Sequence, residues 1–204
     1  MRTVILGSGS DIARALAKRM DVIGYPHDSI DEPTTFDLLL VCCGKVDEGS
    51  FAMAHAGEWE DCVKANVLTP LRWVRKFYPY RRRGASIVFF AGTDPNKVPL
   101  GMSAYHLSKI MLISAAELLN AEFDCKVFII GPGYMPSKIH PYPVVGKQET
   151  SINDLHEMLM TCIQYPKSVI GGRNIHIRDP WKTLKDLNRD DYRLRRVTPD
   201  AYSL

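Results

Sequence analysis

The most reactive pair of side chains in the sequence is a tyrosine and a lysine four residues apart, Tyr105 and Lys109, in the segment YHLSK. The segment opens a predicted helix, on which residues i and i+4 project from the same face. A nearby ammonium favours the phenolate, so Lys109 is expected to lower the pKa of Tyr105. The pair therefore predicts proton transfer to or from a substrate oxygen. This spacing is also common on solvated helix faces, so the rest of the chain has to support it.

A glycine-rich turn is the second candidate. The segment GSGSDIA, residues 7–13, follows a predicted strand and opens a predicted helix. Such a turn lets the backbone approach a pyrophosphate, which then binds the amides at the helix start. The Gly-x-Gly-x-x-Gly pattern is incomplete, because Ile12 stands at the third glycine. A structural turn capped by Ser10 or Asp11 is the alternative interpretation.

The elements that position these residues follow from hydropathy. Short β-rich apolar segments alternate with longer amphipathic ones. We predict strands at residues 3–6, 22–25, 37–43, 86–91, 126–130 and 174–177, and helices at 11–20, 58–78 (bent at Pro70), 103–121 and 152–163. This alternation predicts an α/β fold: a doubly wound parallel sheet, Rossmann-like, in three α/β/α layers. Ligands of such sheets bind beyond the carboxyl ends of the strands, so the loops that follow Leu6, Cys43, Ala91 and Ile130 should converge there.

Composition limits the possible classes of protein. With 204 residues, 46% hydrophobic and 24% charged, the chain has the make-up of one globular domain, not of a disordered or collagen-like protein. A net charge of +3 is too small to argue for nucleic acid or an anionic membrane. The sequence shows no signal peptide and no bilayer-spanning segment, so we expect a cytoplasmic protein. Residues 1–180 are predicted to form a single domain and residues 181–204 a charged C-terminal tail.

The cysteines predict neither a disulfide framework nor a metal site. The chain has five cysteines, an odd number, and no Cys-x-x-Cys pair. No convergent spacing of ligands suggests zinc. We expect reduced, mostly buried thiols.

Several motifs occur together in a specific order, and the combination resembles the short-chain dehydrogenase/reductase family over about residues 3–177. The first turn (Gly7, Ser8, Gly9, Ser10, Asp11, Ile12, Ala13) resembles the family's TGxxxGxG, and Val41, Cys42, Cys43 and Gly44 stand where the family has NNAG. Asn66 in KANVLTP matches the family's catalytic asparagine, and Tyr105 with Lys109 matches YxxxK. Pro132, Gly133 and Ser137 in IIGPGYMPS match the family's PG loop and the hydroxyl that follows it.

The resemblance implies hydride transfer between NAD or NADP and a small carbonyl or secondary-alcohol substrate. Tyr105 would protonate the carbonyl oxygen, or take the alcohol proton in the reverse direction. Lys109 would hydrogen-bond the nicotinamide ribose, and Asn66 would hold a water in the proton relay. Ser137 would contact the nicotinamide side.

The serine that polarises the substrate carbonyl in this family is absent. The family places it thirteen residues before the tyrosine, where this chain has Gly92. We predict that the next residue, Thr93, substitutes for it, although a one-residue offset on a strand normally turns a side chain away. Loss of one such donor typically slows an enzyme by about 10²–10³.

The side of the site that would hold adenosine is unusually short. A third strand and its helix barely fit between Tyr25 and Phe36, and Asp28 in the segment DSID resembles the strand end that contacts adenine. NAD enzymes place a carboxylate after the second strand, where this chain has Gly24 and Tyr25. The choice between NAD and NADP therefore stays open.

Two other classes compete with the enzyme. The altered glycines and Gly92 would also suit a catalytically weakened dinucleotide-binding protein with a regulatory or scaffold role. A sugar-nucleotide epimerase or reductase needs a large C-terminal substrate domain, for which the chain beyond Gly133 is too short. The resemblance further implies a homodimer or homotetramer formed through the two long helices, 58–78 and 103–121.

Overall fold

A parallel sheet forms the centre of the structure. The computed structural model describes residues 1–27, 32–46, 56–92, 101–135 and 148–186. Within them the strands are β1 (Thr3–Leu6), β2 (Val22–Tyr25), β3 (Phe36–Val41), β4 (Arg81–Phe90), β5 (Lys126–Gly131) and β6 (Asn174–His176). Their order is β2-β1-β3-β4-β5-β6, and every neighbouring pair is parallel.

Helices cover both faces of this sheet. They are α1 (Asp11–Ala17), α2 (Ala56–Val63), α3 (Thr69–Phe77), α4 (Ser103–Glu122), α5 (Ile152–Cys162) and α6 (Lys167–Ile170). Leu16 of α1 and Leu155 of α5 belong to the core on one face, while Trp73 of α3 and Leu112 of α4 belong to the core on the other. The central strands are apolar because both of their faces are buried. The predicted three-layer doubly wound fold is confirmed.

The strand register brings the predicted loops to one edge. Leu6 lies beside Val41, Val41 beside Phe89, and Phe90 beside Ile130. The four strands therefore end at nearly the same level. Because β2 and β3 flank β1 on opposite sides, the chain reverses its direction of winding around β1, which is where open α/β sheets bind ligands.

The predicted helix 58–78 is divided into segments. After α2, a π-helical turn (Lys64–Leu68) leads into α3, and Pro70 lies in the first turn of α3. Proline has no amide hydrogen, so Pro70 cannot donate to the carbonyl of Asn66 four residues earlier. The irregular turn thus falls at Asn66, just before the proline at which a bend was predicted.

The arginine triplet at residues 81–83 belongs to β4, where Arg81 pairs with Phe36 across a register shift. Arg82 and Arg83 are exposed, and Arg81 is half-buried. The Arg81 guanidinium binds both carboxylate oxygens of Asp124, at 2.6 and 2.8 Å, and lies 3.8 Å from the ring centroid of Tyr78. These contacts hold the start of β4 extended.

The predicted tail begins with a packed segment. Trp181–Asp186 is a 3₁₀ helix, and its Trp181 and Leu184 are buried in the same core as α5. The Trp181 indole donates a hydrogen bond of 3.0 Å to the carbonyl of Ile177. Residues 187–204 lie outside the described ranges, so the tail and the domain boundary at residue 180 stay predictions. None of the helices within those ranges is long and apolar enough to cross a bilayer.

Candidate active site

The glycine-rich turn is fixed between the ends of β2 and β3. The amides of Gly7 and Ser8 both donate to the carbonyl of Tyr25, at 2.8 and 3.0 Å. Gly7 has φ +79°, and a Cβ there would lie 3.0 Å from the amide nitrogen of Cys43. Both the left-handed backbone and the close approach to β3 require glycine at this position.

The rest of the turn combines a helix cap with an open surface. Ser10 accepts a hydrogen bond from the amide of Ala13 and so caps α1, and this cap is compatible with either interpretation of the turn. The Asp11 carboxylate pairs with Arg14, and the Ile12 side chain packs against the core. A Cβ on Gly9 would meet no atom within 4 Å. The backbone at Gly9 is therefore accessible to a ligand.

The end of β2 carries no carboxylate toward this turn. Gly24 lies against Ser8: a Cβ added to Gly24 would lie 2.9 Å from the Cβ of Ser8. The Tyr25 hydroxyl donates to the carbonyl of Glu32 at 3.0 Å, and its ring packs edge-on against Phe77. The described residues at this strand end thus do not select between NAD and NADP.

The end of β3 leads directly to the predicted catalytic groups. Cys42 is buried in one core and Cys43 packs against the other. A Cβ on Gly44 would lie 2.9 Å from Oδ1 of Asn66 and 3.2 Å from Nζ of Lys109. The structure therefore brings Gly44, Asn66 and Lys109 together, although they are far apart in the chain.

Asn66 links three segments of the chain around the site. Its side chain is fully buried; Oδ1 accepts from the Lys45 amide at 2.9 Å, and Nδ2 donates to the Lys45 carbonyl at 2.8 Å. Nδ2 also donates to the Ser108 hydroxyl at 2.9 Å. Both amide hydrogens of the side chain thus have protein acceptors, which fixes the π-helical turn against the loop after β3.

The sequence prediction did not single out Ser108. Its hydroxyl accepts from Asn66 and donates to the carbonyl of Tyr105 at 2.7 Å. It thereby ties the first turn of α4 to Asn66. The available signal was its place in YHLSK, three residues after Tyr105 and so on the same helix face.

Tyr105 and Lys109 lie on α4 against the end of β4. Nζ of Lys109 is 5.7 Å from the centre of the Tyr105 ring and donates to the carbonyl of Phe90 at 3.3 Å. A Cβ on Gly92 would lie 2.9 Å from the Tyr105 hydroxyl. The phenol and the ammonium thus lie on consecutive turns of α4, and both face the end of β4.

The electrostatics of this pair differ from the prediction. Burial raises the pKa of Tyr105 to about 12, against a smaller lowering by a hydrogen bond with the Gly92 backbone. Burial also lowers the pKa of Lys109 to about 8, while the thiols of Cys43, Cys62 and Cys42 act to raise it. The expected lowering of the Tyr105 pKa by Lys109 is therefore wrong in direction: desolvation dominates, and it favours the neutral form of both groups.

The loop after β5 lies at the same edge. Gly133 has φ +72°, and a Cβ there would lie 2.7 Å from the hydroxyl of Thr150. Pro132 is buried, and the Thr150 amide donates to the carbonyl of Tyr134 at 2.7 Å. Three further site predictions, Asp28, Thr93 and Ser137, lie outside the described residues.

The cysteines are all free, and four of the five are buried, as predicted. Burial raises the pKa of Cys43 to about 12. In the described part of the chain, no cluster of three or more His, Cys, Asp or Glu side chains has an arrangement that could hold a metal ion.

Comparison with known families agrees with this geometry. The family model described as short chain dehydrogenase matches residues 16–142, more than half of the chain. The match includes Asn66, Gly92, Tyr105, Lys109 and the loop after β5, and it begins after the glycine-rich turn. No curated protein sequence matches the chain significantly.

Solved structures share the fold at low sequence identity. A small-chain dehydrogenase in complex with NADPH is 17% identical, with a TM-score of 0.75, over 91% of this chain and 99% of that one. A Burkholderia cenocepacia short chain dehydrogenase in complex with NADP is 18% identical, with a TM-score of 0.73, over 86% and 95%. Thermoplasma acidophilum aldohexose dehydrogenase is 16% identical, with a TM-score of 0.72, over 88% and 95%. With the family model covering residues 16–142 and the sheet folded as in these structures, the chain belongs to the short-chain dehydrogenase family of oxidoreductases.

Proposed function

We propose that the protein is an NAD(P)-dependent oxidoreductase that interconverts a small carbonyl compound and a secondary alcohol, with a proton relay through Tyr105, Lys109 and Asn66. The observation that carries the proposal is the convergence of Asn66 and Lys109 on Gly44, beside Tyr105, at the carboxyl edge of the sheet. These groups come from three separate segments, and only this fold places them together.

The residues at this edge suit a dinucleotide. The backbone at Gly9 is open, and a pyrophosphate that binds at a strand-to-helix turn needs such close access to the backbone. Lys109 has three N–H donors, and among the described residues it uses one hydrogen bond, to Phe90. Its remaining donors would bind the hydroxyls of a ribose.

The bound nicotinamide supplies or accepts the hydride. Tyr105 gives its phenolic proton to the carbonyl oxygen as the alcohol forms, and takes it back in the reverse direction. At neutral pH Tyr105 is protonated and can donate, but burial raises its pKa to about 12, so without further help it is a weaker acid than a free phenol. Binding of a sugar hydroxyl to Lys109 would fix the ammonium beneath the phenol and favour the phenolate needed for alcohol oxidation.

The role of Asn66 in the relay falls to its backbone. Both side-chain amide hydrogens are used by Lys45 and Ser108. Its carbonyl receives no α-helical hydrogen bond, because Pro70 lacks the donor. We propose that this carbonyl is the atom that would hold the relay water.

A titration with NADH and with NADPH, followed by tryptophan fluorescence, tests the proposal. We expect saturable binding to wild type and weaker binding to Lys109→Ala, with Lys185→Ala, an exposed lysine remote from the strand ends, as the matched control. Comparison of the two affinities shows which nucleotide the protein prefers. Two similar structures were solved with NADPH and with NADP. Absence of binding to either nucleotide would refute the proposal.

A catalytically weakened dinucleotide-binding protein is the second candidate, and Gly92 in place of the serine favours it. Reduction of a panel of aldehydes, ketones and sugars separates the two. Turnover that disappears in Tyr105→Phe supports the enzyme. Tight nucleotide binding with no turnover of any carbonyl supports the weakened protein.

We also propose that the protein forms homodimers through α4. Leu107, Met111 and Leu118 are exposed large apolar side chains at a spacing that places them on one stripe of the helix, and Leu118 is 64% exposed. Met111→Glu is expected to give monomers in analytical ultracentrifugation, whereas Ile23→Glu, an exposed position on the edge strand β2, is not. A wild-type monomer would contradict this proposal.

A further inference from the structure

Gly92 follows the end of β4 by two residues and lies next to the Tyr105 hydroxyl. A Cβ added to Gly92 would lie 2.9 Å from that oxygen, which is the only atom of the described residues that it would meet within 4 Å. Real Cβ atoms essentially never approach a heavy atom so closely, so something would have to shift. The atom met is the far end of the Tyr105 side chain, so a side chain at position 92 would displace the phenol hydroxyl rather than the backbone.

The backbone conformation gives no other reason for glycine here. The glycines with positive φ are Gly7, Gly84, Gly101, Gly133 and Gly172 among the described residues, and Gly92 is not one of them. An L-residue would fit the local φ. The approach to the Tyr105 hydroxyl is thus the contact that a side chain here would have to displace.

The strand end beneath the phenol is held in place on both sides. The amide of Ala91 donates to the carbonyl of Ile130 at 3.1 Å, and the carbonyl of Phe90 accepts from Lys109 at 3.3 Å. The Gly92 backbone lies near enough to the Tyr105 hydroxyl to lower its pKa a little, against the larger effect of burial.

We propose that Gly92 is a positioning residue: the absence of a side chain lets the Tyr105 hydroxyl lie against the chain just beyond the end of β4, in the space that a serine side chain would need. The catalytic part of this inference rests on the proposed oxidoreductase function, whereas the structural part does not. Gly92 is then more than a lost serine. Restoring the serine should damage the site.

A double-mutant cycle tests the contact without any activity. Gly92→Ala is expected to lower the melting temperature of the wild type, because the hydroxyl must retreat from 2.9 Å to at least the 3.4 Å of an ordinary contact. In the Tyr105→Phe background the oxygen is gone, so the same change should have no effect. Gly57→Ala, where an added Cβ meets nothing within 4 Å, is the matched control. An equal loss in both backgrounds would overturn the proposal.

Fluorine NMR of protein labelled with 3-fluorotyrosine gives a second test on the folded state. The Tyr105 resonance is assigned by its absence in Tyr105→Phe. It should shift in Gly92→Ala and Gly92→Ser, and stay in place in Gly57→Ala. An unmoved resonance in both Gly92 variants would show that the side chain does not reach the phenol, and the proposal would fall whatever the protein's activity.

Kinetics test the positioning role. We expect Gly92→Ser and Gly92→Ala to lower kcat by about 10²-fold, the loss typical of a small misplacement of a reacting group, with the KM for the nucleotide unchanged. A Gly92→Ser variant more active than wild type would refute the role. Should neither nucleotide bind to wild type, the proposed function fails, and the cycle and the resonance still decide the Gly92 contact.

Discussion

Replacing Lys109 with methionine is expected to stabilise the protein at neutral pH, although Lys109 is the residue on which proposed cofactor binding depends. Lys109 is 4% exposed, and burial lowers its pKa from 10.5 to about 8. At about 1.4 kcal/mol per pKa unit, holding the buried ammonium costs roughly 3 kcal/mol. Methionine keeps most of the aliphatic volume and gives up the hydrogen bond to Phe90, which contributes about 1 kcal/mol.

The net gain in the free energy of unfolding is therefore about 2 kcal/mol, or about 4–8 °C in melting temperature for a chain of this size. Its pH dependence follows from linkage. The folded-state pKa lies below the unfolded one, so the penalty is complete below about 8 and disappears as the pH rises to 10.5. Across that interval the unfolded state binds more protons, so wild type gains stability and the advantage of Lys109→Met shrinks.

Urea unfolding of wild type, Lys109→Met and Lys185→Met, at neutral pH and again near pH 10.5, the ordinary lysine pKa, measures this difference. Subtracting wild type from each variant removes the contribution of the other titrating groups. A Lys109→Met protein that is less stable than wild type at neutral pH, or an advantage that persists undiminished at the higher pH, would refute the reasoning.

Four further outcomes are expected. Gly9→Ala should leave the melting temperature almost unchanged, because nothing lies within 4 Å, yet weaken nucleotide binding in the fluorescence titration; unchanged binding would mean that no pyrophosphate reaches Gly9. Gly7→Ala should destabilise the fold by about 1–3 kcal/mol through its φ and its approach to Cys43, which urea unfolding measures. Asn66→Leu should lower the free energy of unfolding by roughly 3 kcal/mol, because groups of Lys45 and Ser108 lose their hydrogen bonds. Ser108→Ala should lower it by only about 1 kcal/mol. Equal losses in the two variants, measured by urea unfolding, would show that the hydrogen bonds of Asn66 to Lys45 do not account for the difference. Cys43, the one cysteine that is only half-buried, should react slowly with iodoacetamide at neutral pH in the native protein, because desolvation raises its pKa to about 12; rapid labelling seen by mass spectrometry would contradict the raised pKa.

Local sequence patterns were sufficient to predict the fold and to identify the candidate site residues. Continuous apolar segments such as SIVFFA belong to strands buried on both faces, and their alternation with helices admits few topologies. The Tyr105–Lys109 spacing, the turn at Gly7 and the position of Asn66 are also local features. The extended start of β4 at Arg81 was not predictable, because it depends on Asp124 and Tyr78, which are brought near only by folding.

The amino-acid sequence by itself determined the parallel α/β fold, the family and the identity of the proposed proton donor. Tertiary structure alone decided the ionisation of that donor and its partner. Spacing predicts that Lys109 and Tyr105 are neighbours, but their pKa values depend on how much protein excludes water from them, and that burial opposes the Coulomb effect expected from spacing. The tertiary structure also gave Gly92 a second interpretation. In the sequence it is a missing serine, whereas in the folded chain it leaves the space that the Tyr105 hydroxyl fills.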